Sequence, residues 1–358
     1  MPYSLNKKLV NLKPYDPIQG NYKIRLDANE SFFNVNEILS EKVLTEIAKI
    51  NLNRYPDPYA EELVKAFSDF YEIERDLITA GNGSDEIISI ITSCFLEKGD
   101  TILTLSNDFS MYAFYGNLYE LNVKCLEKNT DLTVDVDKLI AYCNENSVKA
   151  VIFSNPCNPT SLGICREDVL KLIQNVSSLV IVDEAYMDFW GSDFCGEESV
   201  IKNTGDYDNL IVLKTCSKAI GLAAARIGFA VSSKKNTIAL KAAKSPYNTD
   251  SISQIVGKVV LSEKKILQNM RNEIIFQRDE LYKGIIKLSQ QFEQIEVVYN
   301  TVTNFVFIKT SFADAIFNSL LKKSIAIRKM GNYLRITAGN KAENKELLKS
   351  LEEILNNF

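Results

Sequence analysis

The sequence predicts an α/β protein with a mostly parallel central sheet covered by helices on both faces, followed by a smaller α+β domain. Three observations lead there. Between residues 85 and 232, helical patterns alternate with short runs rich in Val and Ile. Those runs are apolar at successive positions, as strands covered on both faces are. Past about residue 245 the texture changes to a long helical segment and a few further strands and helices.

Residues 1–30 show no core of their own and are expected to form an N-terminal arm that packs as a segment of the smaller domain. The large domain is expected over 31–245. Within it, 85–98 (DEIISIITSCFLEK) reads as a helix, and 101–106 (TILTLS) as a strand after the Gly99-Asp100 turn. Further strands are expected at 123–126, 150–154, 179–183, 210–213 and 227–231. Helices are expected near 110–120, 136–144 and 166–175. The smaller domain, 246–358, carries a long helical segment at 251–289, strands at 303–309 and 333–337, and helices at 313–323 and 343–355. No repeat, low-complexity tract or Pro/Gly-rich linker marks the boundary, so it rests on the change of pattern alone.

The 358 residues are 46% apolar and 24% charged, the balance of an ordinary globular enzyme. A chain this long buries a large core without a disulfide or metal staple. Its net charge of −5 leaves no overall electrostatic footprint for nucleic acid or an anionic membrane. There is no histidine. That excludes Ser-His-Asp and Cys-His nucleophile systems and His-ligated metal sites, and leaves Lys, Asp, Glu, Tyr or Cys to move protons. The seven cysteines (94, 125, 143, 157, 165, 195 and 216) form no C-x-x-C pair, a pattern expected of buried, reduced thiols. The first residues lack the apolar run of a signal peptide, and no stretch approaches the ~20 apolar residues of a membrane span. A soluble, cytoplasmic protein is expected.

Five short segments carry chemistry. In LKTCSKAIGLAAARIG (213–228), Thr215, Ser217 and Lys218 arrive together after a strand, and Arg226 follows eight residues after the lysine. Hydroxyls and a guanidinium around one lysine suit a phosphate held beside an amine that can form a Schiff base. A solvated loop lysine is the plain alternative. In LVIVDEAYMDF (179–189), Asp183 ends a strand, where open α/β sheets bind ligands, and Tyr186 follows. An Asp there can partner a protonated pyridine nitrogen, or simply cap a turn. AGNGSDE (80–86) places Ser84 and Asp85 at a helix start, either an anion site or an ordinary Gly turn. Phe109 follows in NDFSMY, as a ring to stack on a planar ligand or as core. SNPCNPT (154–160) offers the amide of Asn158, or a Pro-stiffened turn. YLRITAG (333–339) places Arg335 in a strand among buried neighbours, where it needs an anion: a substrate group or a structural carboxylate.

One cofactor, pyridoxal 5′-phosphate (PLP), uses all five segments. The sequence resembles the PLP-dependent aminotransferases of fold type I, and within them the histidinol-phosphate aminotransferase family. The resemblance spans nearly the whole chain: LKPYDP (12–17), RLDANES (25–31), NRYPDP (53–58), GNGSDEI (81–87), CNPT, VDEAY, SKAIGLAAARIG and LRITAG. It implies that Lys218 bonds the cofactor and shuttles the substrate's Cα proton. Asp183 would pair with the pyridine nitrogen, Tyr186 and Asn158 with the ring oxygen, and Phe109 would stack on the ring. Ser84, Asp85, Thr215, Ser217 and Arg226 would hold the phosphate. Tyr55 would reach the partner subunit's phosphate, so a homodimer with shared sites is implied. Arg335 would bind the substrate's anionic group, with Tyr15, Asn29 and Arg328 as further candidates. No metal is implied.

The chain departs from the family pattern where substrate enters. Asn-Pro-Thr is followed by Ser161 where Gly is usual, with Gly163 two residues later. Asn107-Asp108 stands in place of Pro-Thr before Phe109, and Phe109 itself where Tyr is common. Glu30-Ser31-Phe32-Phe33 stands for Glu-Asn-Pro. The activity implied is transfer of an amino group between L-histidinol phosphate and 2-oxoglutarate, a step of histidine biosynthesis. The alternatives on this scaffold are decarboxylation of a phosphorylated amino acid, such as threonine phosphate, or transamination of another amino acid. A dinucleotide-binding dehydrogenase is disfavoured, because no G-x-G-x-x-G follows a first strand. A catalytically silent binding protein is disfavoured by Lys218.

Overall fold

The computed structural model describes residues 3–10, 12, 18–194 and 196–358. Its first strand, β1 (Ile24–Leu26), belongs to the smaller of two sheets. The larger sheet is built from β2 (Ile78–Asn82), β3 (Thr101–Leu105), β4 (Asn122–Leu126), β5 (Ala150–Ser154), β6 (Leu179–Asp183), β7 (Leu210–Thr215) and β8 (Ile227–Ser232). Its order is β2-β8-β7-β6-β5-β3-β4, and only β8 runs antiparallel to its neighbours. β5 and β7 are buried at every position and β6 at all but its first, as expected of central strands covered on both faces. The edge strand β4 (NVKCL) is mostly solvated.

The remaining strands are β9 (Val297–Val298), β10 (Phe305–Lys309), β11 (Ile325–Met330) and β12 (Tyr333–Thr337). They complete a sheet of order β1-β11-β12-β10-β9, in which β1 pairs parallel with β11 across some three hundred residues of chain. Two buried clusters lie against the large sheet, and a separate one, including Leu26, Val306, Ile327 and Leu334, lies against the small sheet.

Most expected elements lie within a few residues of their positions. The segment expected as one helix over 251–289 is two, Ser251–Leu261 and Lys264–Gln291. The break falls where the Ser262 hydroxyl donates back to the Lys258 carbonyl and Glu263 leaves helical geometry. The last helix, Lys341–Leu355, starts two residues early because Asn340 and Glu343 form a capping box. Strands β1, β2, β9 and β11 and the helices Val35–Ile47, Glu61–Tyr71 and Lys234–Ala243 were not anticipated.

The cores do not divide at residue 245. Val260, Leu261, Leu267, Met270 and Ile274 belong to the large-sheet core, whereas Leu281, Ile285 and Leu288 belong to the small-sheet core. The division therefore falls inside the helix Lys264–Gln291. Helical spacing reveals a buried face but not which core that face meets.

The expectation of buried thiols holds only for Cys143, Cys157 and Cys216, since Cys94, Cys125 and Cys165 are exposed; Cys195 lies outside the described residues. No helix of the described residues is long and apolar enough to cross a membrane.

Candidate active site

A cavity of about 700 Å³ opens between the two sheets, at the carboxyl ends of β3, β5, β6 and β7. Open α/β sheets bind ligands at this edge.

Asp183 ends β6 and is only 4% exposed. Its carboxylate accepts hydrogen bonds from the Tyr112 hydroxyl (2.8 Å) and the Ala185 N–H (3.1 Å). Burial pushes its pKa up to about 6, against the pull of those two bonds. A carboxylate so buried suits a cationic partner from the cavity.

Lys218 follows β7, and its Nζ donates to the Ala28 carbonyl (2.9 Å) and lies 5.8 Å from the centre of the Tyr186 ring. The Tyr186 hydroxyl accepts from Asn29 Nδ2 (2.9 Å), leaving its own O–H as a donor. Asn29 sits just after β1 in the left-handed region (φ 55°), which Asn tolerates, and its Oδ1 accepts from the Thr337 hydroxyl (3.0 Å). Its amide thus braces Tyr186 against the small sheet, although sequence alone suggested a substrate contact.

At one end of the cavity the helix Gly83–Cys94 begins directly after β2. Gly83 has φ +79°, and a Cβ there would lie 2.6 Å from Arg226 Nη2. A Cβ on Gly228 would lie 2.3 Å from the Ser84 nitrogen. Only glycines allow the helix start, β8 and the guanidinium to approach so closely. Arg226 Nη2 meets the Asp85 carboxylate at 3.2 Å, and the Thr215 and Ser217 hydroxyls are 3.0 Å apart. A helix N-terminus with hydroxyls and a guanidinium is a phosphate-binding set.

The opposite wall comes from the small sheet. Arg328 and Arg335 are register-paired on β11 and β12, and both line the cavity. Arg335 donates to Asn158 Oδ1 (2.5 Å) and to the Asp27 carbonyl (2.7 Å). Paired arginines concentrate positive charge on this wall, as recognition of a carboxylate or phosphate requires. Phe109 also lines the cavity, packed edge-on against Tyr112 with ring centres 5.5 Å apart.

Fourteen sequence-derived candidates are Lys218, Asp183, Tyr186, Ser84, Asp85, Phe109, Asn158, Thr215, Ser217, Arg226, Arg335, Asn29, Arg328 and Tyr55; all but Tyr55 line this one cavity. Tyr55 is 80% exposed on the surface, stacked on Tyr247 at 4.5 Å. Tyr15 lies outside the described residues. Sequence reasoning missed Tyr112 and Asp108. Tyr112 carries no signal of its own in the sequence, and Asp108 stands out there only as a departure from the family pattern beside Asn107. Among the described residues no group of three or more acidic or thiol side chains is placed to hold a metal ion.

The arrangement suits a flat ligand with a phosphate at the helix end, a basic ring nitrogen at Asp183 and a carbonyl within reach of Lys218. Residues 21–351 match the family model described as aminotransferase class I and II. The chain is 38% identical to the histidinol-phosphate aminotransferase of Clostridium novyi, over 97% of this chain and 96% of that one. With the corresponding Pyrococcus furiosus enzyme it shares 34% identity, over 98% and 97%. The structure superposes on that of histidinol-phosphate aminotransferase from Sinorhizobium meliloti in complex with pyridoxal-5′-phosphate. The TM-score is 0.84 at 23% identity, covering 94% of this chain and 92% of that one.

Proposed function

The chain belongs to the aminotransferase class I and II family, and on that premise we propose that it moves an amino group between L-histidinol phosphate and 2-oxoglutarate, in histidine biosynthesis. It is a PLP-dependent aminotransferase of fold type I. The observation that carries the substrate reading is full-length identity of 34–38% to enzymes of that name.

The residues present fit PLP: a glycine-lined helix start for the phosphate, a buried acid for the ring nitrogen, and a lysine amine in the same cavity. When bound, PLP supplies an electron sink for the negative charge that develops at the substrate's Cα. Lys218 would hold the cofactor and move the proton at the substrate's Cα. Asp183 holds the proton on the ring nitrogen. Tyr186 and the Nδ2 of Asn158 would donate to the ring oxygen, and Phe109 would pack against the ring. The backbone N–H groups of Ser84 and Asp85, with Thr215, Ser217 and Arg226, would bind the phosphate. Arg335, with Arg328 and Tyr15, takes the anionic end of either substrate, while Asn29 braces Tyr186; one fork serves carboxylate and phosphate alike. Tyr55 completes the phosphate site of a partner subunit in a homodimer. The large-sheet core is the PLP-binding domain and the small-sheet core the domain that faces substrate. The enzyme works in the cytoplasm.

Incubation with histidinol phosphate and 2-oxoglutarate tests the reading, with glutamate and CO₂ followed together. Glutamate formed in step with loss of histidinol phosphate is expected. No turnover of histidinol phosphate, or CO₂ release from threonine phosphate, would overturn the substrate assignment.

A further inference from the structure

Asp108 lies half-buried at the cavity wall, one residue before Phe109 and three after β3. Its carboxylate accepts from the Phe109 N–H (2.7 Å), from the Ser154 N–H (3.2 Å) and from the Ser154 hydroxyl in a short contact. The Ser154 oxygen in turn accepts from the Asn158 N–H (3.0 Å), and Asn158 Oδ1 accepts from Arg335 (2.5 Å). One carboxylate thus begins a chain of bonds that ends on the arginine of the opposite wall.

Lys128 closes the same junction from outside. Its Nζ donates to the Asn107 carbonyl (3.2 Å) and to Cys157 Sγ (3.1 Å), while the Cys157 thiol reaches the Asn107 carbonyl at 3.4 Å. Burial pushes the Asp108 carboxyl upward, and the charge of Lys128 and the Ser154 bonds oppose it. Asn107 is held in the left-handed region, with φ 48°. The loops after β3 and β5 have no ladder between them here, so these side chains make the connection.

We propose that Asp108, backed by Lys128, is a positioning residue that welds the loop carrying Phe109 to the loop carrying Asn158, and so holds the cofactor grip and Arg335 in register. This rests on the reading of Phe109 and Asn158 as cofactor contacts. Removing the carboxylate leaves two backbone N–H groups and a hydroxyl without their acceptor, and both loops gain freedom.

The test is the rate at which PLP leaves the full-length holoprotein, followed by absorbance in the presence of a PLP scavenger. Asp108→Ala and Asn158→Ala are each expected to speed release by roughly tenfold or more. The double variant should be no faster than about the quicker single, because both act on one chain of bonds. Asp108→Asn keeps the size and one acceptor oxygen without the charge, and is expected to fall between wild type and Asp108→Ala. It also separates loss of grip from loss of fold. Lys128→Met should act in the same direction by a smaller factor. Effects of Asp108→Ala and Asn158→Ala that multiply, or unchanged release from both Asp108 variants, would overturn the proposal. Release from Asn158→Ala at the wild-type rate would instead remove the cofactor role of Asn158, and the proposal would fall with it.

Discussion

The Tyr112 hydroxyl donates to the Asp183 carboxylate at 2.8 Å, from the helix Met111–Leu118, which packs on β3, β4 and the helix Gly83–Cys94. Both groups are buried, and each moves the other: the phenol helps to keep Asp183 ionised, while burial and the charge of Asp183 raise the phenol's own pKa. Tyr112→Phe removes one of the two donors to that carboxylate without changing the shape of the site. A bond to a charged group contributes about 1.5–3 kcal/mol. Amino transfer from glutamate, measured in a single turnover, is therefore expected to slow by about ten- to a hundredfold. A rate near that of the wild type would show that Asp183 does not depend on Tyr112.

The pH dependence of stability follows from the same burial. Desolvation raises the carboxyls of Asp183 and Glu184, each to about 6. A folded pKa above the unfolded one means that the folded chain holds the proton more tightly. The resulting stability is complete below the unfolded values of about 4 and is lost as pH rises through about 6. These two carboxyls should therefore take stability away from the cofactor-free protein between pH 4 and 7. Asp183→Asn, which cannot ionise, should lose less over the same interval. Urea midpoints across the range measure the difference, and parallel curves would remove Asp183 from the account.

Ser161 occupies a left-handed backbone position, φ 64°, a conformation that favours glycine. Its fully buried hydroxyl is 2.8 Å from the Thr301 oxygen and 2.6 Å from that of Thr303. Ser161→Ala keeps the backbone cost and loses the bonds, for an expected destabilisation of about 1–3 kcal/mol. Ser161→Gly loses the same bonds but relieves about 1–2 kcal/mol of backbone cost. Gly should therefore be the milder substitution, the reverse of the usual order. Denaturant unfolding of the two variants decides it, and a Gly variant less stable than the Ala variant would contradict the account.

Tyr55 is solvent-exposed in the isolated chain, and the role proposed for it requires a second copy. Subunits carrying Tyr55→Phe and Lys218→Ala, mixed and allowed to exchange, should form hybrids with one doubly defective site and one intact site. Activity is expected to rise on mixing. Hybrids that form without any recovery would place Tyr55 outside the partner's site.

What could be read in the sequence tracks how locally each feature is encoded. β5 and β6 are unbroken apolar runs, and their bounds were evident. β2, ITAGN, contains a glycine and ends in the anion-binding turn, so its pairing with β8 could not be distinguished from a loop. β1 is three residues whose only strand partner lies near the other end of the chain. Lys218, Asp183 and Arg226 were visible because their motifs are contiguous. Tyr112 and Asp108 gain their roles from partners 71 and 46 residues away, Asp183 and Ser154, and nothing beside them in sequence marks that meeting.

The helix Lys264–Gln291 is a single 28-residue beam with its first buried residues in one core and its last in the other. At its middle, Arg271 donates to the Gly191 carbonyl (2.6 Å) and Arg278 to the Thr303 carbonyl (2.5 Å), tying it to both sides. Neither core can come apart without stripping half the packing from an element the other still needs. Heating should thus find one cooperative unit in this chain, and any swing of the substrate-facing wall has to be taken up by bending this beam or by sliding along its side chains.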